Sequence, residues 1–403
     1  MELSFQTGAF LLLIAAVVAM TSRRLHLPYS VGLVAAGAIL AFLPFTPRVE
    51  LTRELIFDAL LPPLLFEAAF YIPWEQLRRD FPVIVTLATV GVALSAGVTA
   101  AGMHLFGGWQ WMSALIFGVL IAATDPVAVI ATFKEAKVGG RLLVLIEGES
   151  LLNDGTAAVA FGVVVGLAGG QQPNALAIAM ALAITIVGGI VCGGVIALVA
   201  IALVGRTDDH LVEITFTTVA AWGSFLLADR MGWSGVLATI TAGIVMSQMQ
   251  DGRITARGQE AVQAFWEYTA FVANSMIFLL IGMHEASQNF VAVWRPAIIA
   301  IALVTLGRAV AIYPCCSVFA RTSLRIVSRH RHILFWGGLR GAVALALALG
   351  LPSYVPQREG IIAVSFGVVA FSIFVQGLTI APFGRKMGEI SPAAVESGGA
   401  RNG

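Results

Sequence analysis

Glu149, Ser150, Asn153 and Asp154 lie within one six-residue stretch and share one kind of chemistry. On a helix turning about 100° per residue they point near 0°, 100°, 40° and 140°. One helix face then offers two carboxylates, a hydroxyl and an amide, all of them oxygen donors. Such donors suit a hard cation, and a carboxylate among them can hold a proton instead. No His or Cys accompanies them, so zinc and other transition metals are not expected. A second group sits at Ala123-Thr124-Asp125-Pro126. Proline removes a backbone donor and pushes the residue before it out of helical geometry. A third, Gly337-Gly338-Leu339-Arg340-Gly341, again sets a charge in a weak point of an apolar run. Arg308 and Glu67 are the other charges embedded in such runs, the latter just after Pro62-Pro63.

The surroundings give these residues their meaning. Of 403 residues 58% are hydrophobic and 12% charged, with a mean hydropathy of +0.89. A soluble domain carries roughly 25% charged residues. The charges present cannot cover a globule of this size, so much of the surface must face lipid. A soluble enzyme, a nucleic-acid binder and a disordered scaffold are thereby excluded. The net charge of +1 points to no partner through its sum, and Cys192, Cys315 and Cys316 all sit in apolar runs, which argues against a disulfide framework. The first apolar run lacks a basic flank and a cleavage site and reads as a retained helix.

Hydropathy predicts thirteen spans, at approximately 7–22, 28–45, 55–72, 81–105, 111–133, 142–168, 174–205, 211–228, 233–250, 262–283, 296–320, 332–350 and 360–380. The chain is expected to be an all-α polytopic membrane protein with short loops and no soluble domain. Seventeen of the 24 basic residues fall in odd-numbered loops and the C-terminal tail, and five (Arg48, Arg53, Arg230, Arg295, Arg358) in even-numbered loops. The bias places the N-terminus outside and the C-terminus in the cytoplasm. The remaining two, Arg308 and Arg340, lie inside spans. A charge at mid-bilayer costs about 2.5–3.5 kcal/mol on an insertion scale, so Asp125, Asp154, Arg308 and Arg340 each require a reason. Interrupted helices in corresponding places, here the fifth and twelfth spans, are the mark of a transporter with inverted repeats built from spans 4–6 and 11–13. Their freed ends put dipoles at the midplane, where an acid suits an N-terminal end and a base a C-terminal end.

With these motifs in place the sequence resembles the monovalent cation:proton antiporters of the sodium/proton exchanger type, NhaP-like in prokaryotes. Leu145-Ile146-Glu147-Gly148-Glu149-Ser150-Leu151-Leu152-Asn153-Asp154-Gly155-Thr156 looks like the Asn-Asp helix of that family. Ala122–Val127 is similar to its unwound helix, Phe335–Ala342 to its second crossing helix, Leu60–Glu67 to its proline-pair helix, and Leu306-Gly307-Arg308 to the helix whose arginine pairs with the glutamate. The resemblance covers nearly the whole chain. It implies an NhaA/NhaP-like antiporter fold and a homodimer, with residues 1–80 and 171–290 as dimerisation scaffold. Residues 81–170 and 291–382 would form a core that moves like an elevator, and 383–403 a short cytoplasmic tail. It further implies that Asp154 carries cation and proton in turn. Thr124, Ser150 and Glu149 would help to hold the Na+, with Asn153 shaping the site; Asp125 is a further cation- or proton-binding candidate and Glu67 a candidate for the ion path.

Plainer readings stand beside these. Thr124-Asp125-Pro126 as a mere packing kink, Glu149–Arg308 as a purely structural pair, Arg340 as a counter-charge to a helix end and Glu67 as a structural acid are each compatible with the residues. A further expectation is that Asp125 pairs with Arg340. The function expected is electroneutral exchange of Na+, and Li+ with it, for H+ across the plasma membrane, with no cofactor. Potassium/proton exchange is the near alternative and a passive cation channel the distant one. An intramembrane aspartyl protease would need a Gly-x-Gly-Asp pattern, whereas Leu152-Asn153 precedes Asp154.

Overall fold

The computed structural model describes residues 5–25, 27–43, 51–170, 174–204, 209–248, 256–286 and 290–390. Arg48, Arg206, Arg253 and Arg401 of the charge count, and residues 391–403 of the tail, lie outside the described residues. Counting a helix that contains a π turn as one, the described residues form fifteen helices. The first four are α1 (Phe5–Leu25), α2 (Tyr29–Ala41), α3 (a π turn, Leu55–Leu60, running into Leu61–Tyr71) and α4 (Trp74–Leu105). Next come α5 (Trp111–Leu120), α6 (Val127–Glu135), α7 (Arg141–Ala168), α8 (Ala175–Val204), α9 (His210–Arg230) and α10 (Gly235–Ser247). The last are α11 (Ala256–Glu285), α12 (Phe290–Val318), α13 (Ser328–Trp336), α14 (Ala342–Leu349) and α15 (Arg358–Lys386).

Each of the thirteen apolar stretches is helical over most of its described residues, and two of them are split: the fifth into α5 and α6, the twelfth into α13 and α14. Among the described residues, seven helices are long and apolar enough to cross a membrane. The fourth stretch begins earlier than its hydropathy does. Trp74 to Asp80 already form its first two turns, so Arg78 and Arg79 project from a helix rather than a loop. Similarly, residues 383–386 continue α15 instead of starting a tail.

Contacts between connecting segments test the alternation of the helices directly. At one end Arg141 forms an ion pair with Asp80 at 2.7 Å and donates to the carbonyls of Leu324 and Arg325 at 2.7 and 2.9 Å. Arg329 and His330 meet Glu389 at that same end. These are odd-numbered connections and the segment after the last helix, and we refer to this as the basic end. At the opposite end Ser113 donates to the Pro356 carbonyl at 2.8 Å, and Tyr354 to that of Val165 at 3.3 Å. Ser113 is in the first turn of α5 and Val165 in the last turn of α7, while Tyr354 and Pro356 belong to the even-numbered connection after α14.

Glycine sets the closest crossings. Where α2 meets α11, a Cβ on Gly37 would lie 2.2 Å from the Leu279 carbonyl oxygen, and one on Gly282 would lie 2.1 Å from that of Val34. Backbones this close exchange lipid contact for packing along their whole length. Gly282→Ala should therefore destabilise the protein by about 1–3 kcal/mol through overpacking. Scanning fluorimetry would register a lowered unfolding midpoint. Gly97→Ala, at a position with nothing within 4 Å of the new methyl, should show no such loss.

Candidate functional site

The two split stretches cross, and their loose ends are tied to each other. The Asp125 backbone N–H donates to the Leu339 carbonyl at 2.8 Å. The Asp125 carboxylate accepts from the Val127 N–H at 3.0 Å, at the start of α6. It also accepts from the Ala342 N–H, at the start of α14. One acid thus sits at two positive helix ends at once. Arg340 does the reverse, donating to the carbonyls of Ala122 and Ala123 at 2.6 and 3.2 Å, just past the end of α5. Its own N–H donates to Ser372 Oγ at 2.7 Å, inside the π turn of α15.

The expected Asp125–Arg340 ion pair is therefore corrected. The acid is drawn to freed N–H groups and the base to freed carbonyls, which lie on opposite sides of the crossing. Close approach at the crossing depends on Gly341, where a Cβ would lie 2.1 Å from an Asp125 carboxylate oxygen.

The helix α7 lies against this crossing and presents two faces to it. On one, Glu149 makes a two-pronged ion pair with Arg308 of α12, at 2.5 and 2.7 Å, and Arg308 also donates to the Leu334 carbonyl at 2.8 Å. Asn153 lies one turn on. Its amide nitrogen donates to Thr124 Oγ1 at 2.7 Å and to Glu149 at 3.2 Å, while its oxygen accepts from the Thr124 N–H at 3.2 Å. Asn153 is thus the clamp that holds α7 to the unwound segment. On the other face, Ser150 donates to the Thr124 carbonyl, and Asp154 follows one turn later.

Asp154, Ser150, Thr124, Asp125 and Glu67 line a single cavity of about 270 Å³, closed on other sides by apolar residues of α3, α6 and α14. The cavity reaches the basic end at Lys134 and Glu147. Asp154 is 8% exposed, and its Oδ1 is buried with no hydrogen-bond partner among the described residues. An acceptor left without a donor in such a place is costly unless a proton or a cation supplies the missing partner.

The wheel reading of α7 is sharpened by this geometry. Glu149 does not line the cavity, because the 100° step that separates it from Ser150 turns it toward Arg308. Direct ligation of a cation by Glu149 is not what the structure brings together. Asn153 and the two arginines likewise stand behind the cavity wall. Three residues went unnoticed as site candidates: Glu147, Lys134 and Asn274 of α11 line the cavity. Glu147 was visible as an acid seven residues before Asp154, one face of the helix apart by two turns. Asn274 was visible as an amide inside an apolar run. Lys134 resembled any other loop charge.

A family model described as the transmembrane sodium/hydrogen exchanger matches residues 10–386. The chain is 40% identical over 373 residues to the Na+/H+ antiporter ApNhaP of Aphanothece halophytica, covering 92% of this chain and 71% of that protein. It is 38% identical over 361 residues to the low-affinity Na+/H+ antiporter NhaS1 of Synechocystis, covering 88% and 68%. Among solved structures, the sodium proton antiporter MjNhaP1 of Methanocaldococcus jannaschii superposes with a TM-score of 0.75. That match has 19% identity and covers 95% of this chain and 97% of that one.

Proposed function

The chain belongs to the sodium/hydrogen exchanger family, and from that membership we propose that it exchanges Na+, and Li+ with it, for H+ by alternating access, one for one. It is a multi-pass membrane protein, and its family is one of transporters rather than enzymes. The observation that carries the reading is the buried Asp154 carboxylate with its unpartnered oxygen, facing a cavity lined with further oxygen donors.

Competition provides the mechanism. One carboxylate in a partly dehydrated site holds a proton or a sodium ion, since a second positive charge there would have no counter-charge. In the first state Asp154, with Ser150, Thr124 and Asp125, would hold Na+, directly or through water. In the second it would hold the proton alone. The charged but uncompensated site is barred from the low-dielectric crossing, so reorientation follows only after loading. Glu149 is balanced by Arg308, and Asp125 and Arg340 are each balanced by helix ends. Among the charges at the crossing, Asp154 is thereby left as the one without a fixed partner, which supports electroneutral exchange.

The rest of the proposal concerns arrangement. Spans 4–6 and 11–13 would form the moving core and the other helices the scaffold of a homodimer, in the plasma membrane. The basic end would face the cytoplasm, supported by the seventeen-to-five charge bias. Purified protein in liposomes with an internal pH dye should acidify the lumen under an outward Na+ gradient and alkalinise it under an inward one. Clamping the membrane potential with potassium and valinomycin should leave the rate unchanged, and K+ as the only gradient should drive far less proton movement. Absence of Na+-driven proton movement would remove the reading; a voltage-dependent rate would remove the one-for-one stoichiometry.

A further inference from the structure

The mouth of the cavity holds one cation among several carboxylates. Glu67 of α3, Glu147 in the second turn of α7 and Lys134 in the last turn of α6 line it together. Glu267 of α11 adds a third carboxylate within electrostatic reach of Glu67. Lys134 is exposed and makes no ion pair among the described residues. Even so, it shares the cavity lining with both Glu67 and Glu147. Its ammonium therefore stands over the mouth without being committed to either acid.

A cleft lined with one sign of charge concentrates counter-ions and speeds their entry. Glu67 and Glu147 in the lining, with Glu267 near Glu67, would do so for any monovalent cation on its way to Asp154. A tethered ammonium in the same water reduces that field and occupies the space a free cation would use. Because Lys134 sits at the mouth and not against Asp154, Ser150 or Thr124, it acts on arrival and departure rather than on the loaded site.

Resting on the exchange reading, we propose that Lys134 is a tethered counter-cation of the cavity mouth, which sets the apparent affinity for the transported monovalent cation while leaving turnover untouched. Its neighbour Lys137 provides the contrast: it lies at the same end and is exposed, but does not line the cavity. A role in general surface charge would make the two equivalent.

The test is the Na+ dependence of proton movement in liposomes, at low ionic strength and again with choline chloride added. At low ionic strength, Lys134→Gln should lower the KM for Na+ by about three-fold with kcat unchanged. The difference should fade as choline chloride shortens the reach of the charge. Lys134→Arg and Lys137→Gln should both match the wild type. Glu147→Gln should raise KM, and the double variant with Lys134→Gln should return it toward the wild-type value. An unchanged KM in Lys134→Gln would overturn the proposal. So would a fall shared by Lys137→Gln, or a loss confined to kcat. Failure of the wild type to exchange at all would instead count against the exchange reading.

Discussion

Asp154→Asn is expected to abolish Na+-driven proton movement completely while leaving the protein folded. The amide has the carboxylate's shape, so packing around a side chain that is 8% exposed is preserved. What is lost is the capacity to bind a proton or to neutralise a sodium ion. Binding provides a second readout, because a ligand held only by the folded state stabilises it by about 2.7 kcal/mol at a hundred times its Kd. Wild-type protein should therefore show a rising unfolding midpoint with added NaCl beyond that seen with choline chloride. In Asp154→Asn the two salts should act alike. Exchange persisting in this variant would move the transported charge to another residue, of which Asp125, Glu67 and Glu147 are the carboxylates sharing the cavity.

The second large effect concerns stability. Arg308→Ala would leave the Glu149 carboxylate, 2% exposed, without its counter-charge, and the Leu334 carbonyl without its donor. Breaking a buried pair from one side costs about 3–5 kcal/mol. Replacing both partners, as Glu149→Leu with Arg308→Met, should recover most of that loss, since no buried charge is stranded. Thermal unfolding of the two variants in detergent would measure the difference. The double variant also separates two roles for the pair. If Glu149 serves only to pin α7 to α12, exchange survives in it. A stable but inactive double variant would assign Glu149 a part in transport itself.

The chemistry was largely legible in the residues because the bilayer penalises charge. Asp154, Asp125, Arg308 and Arg340 had to be explained, and the apolar runs between them could hardly be anything but helices. The breaks in the fifth and twelfth spans were equally visible, since proline and paired glycines mark them locally. Rotation about a helix axis was not. The donors of α7 cover an arc of about 140°, and nothing local says that Ser150 and Asp154 take the cavity while Glu149 takes Arg308. The Asp125–Arg340 pairing failed for a related reason. Opposite charges at matching positions invite a salt bridge, yet each had a nearer partner in the unpaired backbone of a broken helix. Lys134 was hidden by its abundance class: one of seventeen basic residues at an end gives no sign that it overhangs a cavity.

The mutual satisfaction of the two broken helices also bears on how the chain is made. Asp125 and Leu339 bond across about 200 residues of sequence, which a ribosome takes roughly 10–40 s to translate. Through that interval the first broken helix has entered the bilayer, and the carbonyl that will receive its backbone N–H does not yet exist. The same delay applies to Arg340, the next residue, which reaches the exposed carbonyls of Ala122 and Ala123. Unpaired backbone is not tolerated against lipid tails. The nascent half must therefore wait beside water or the insertion machinery. Its docking is deferred until the second half is threaded.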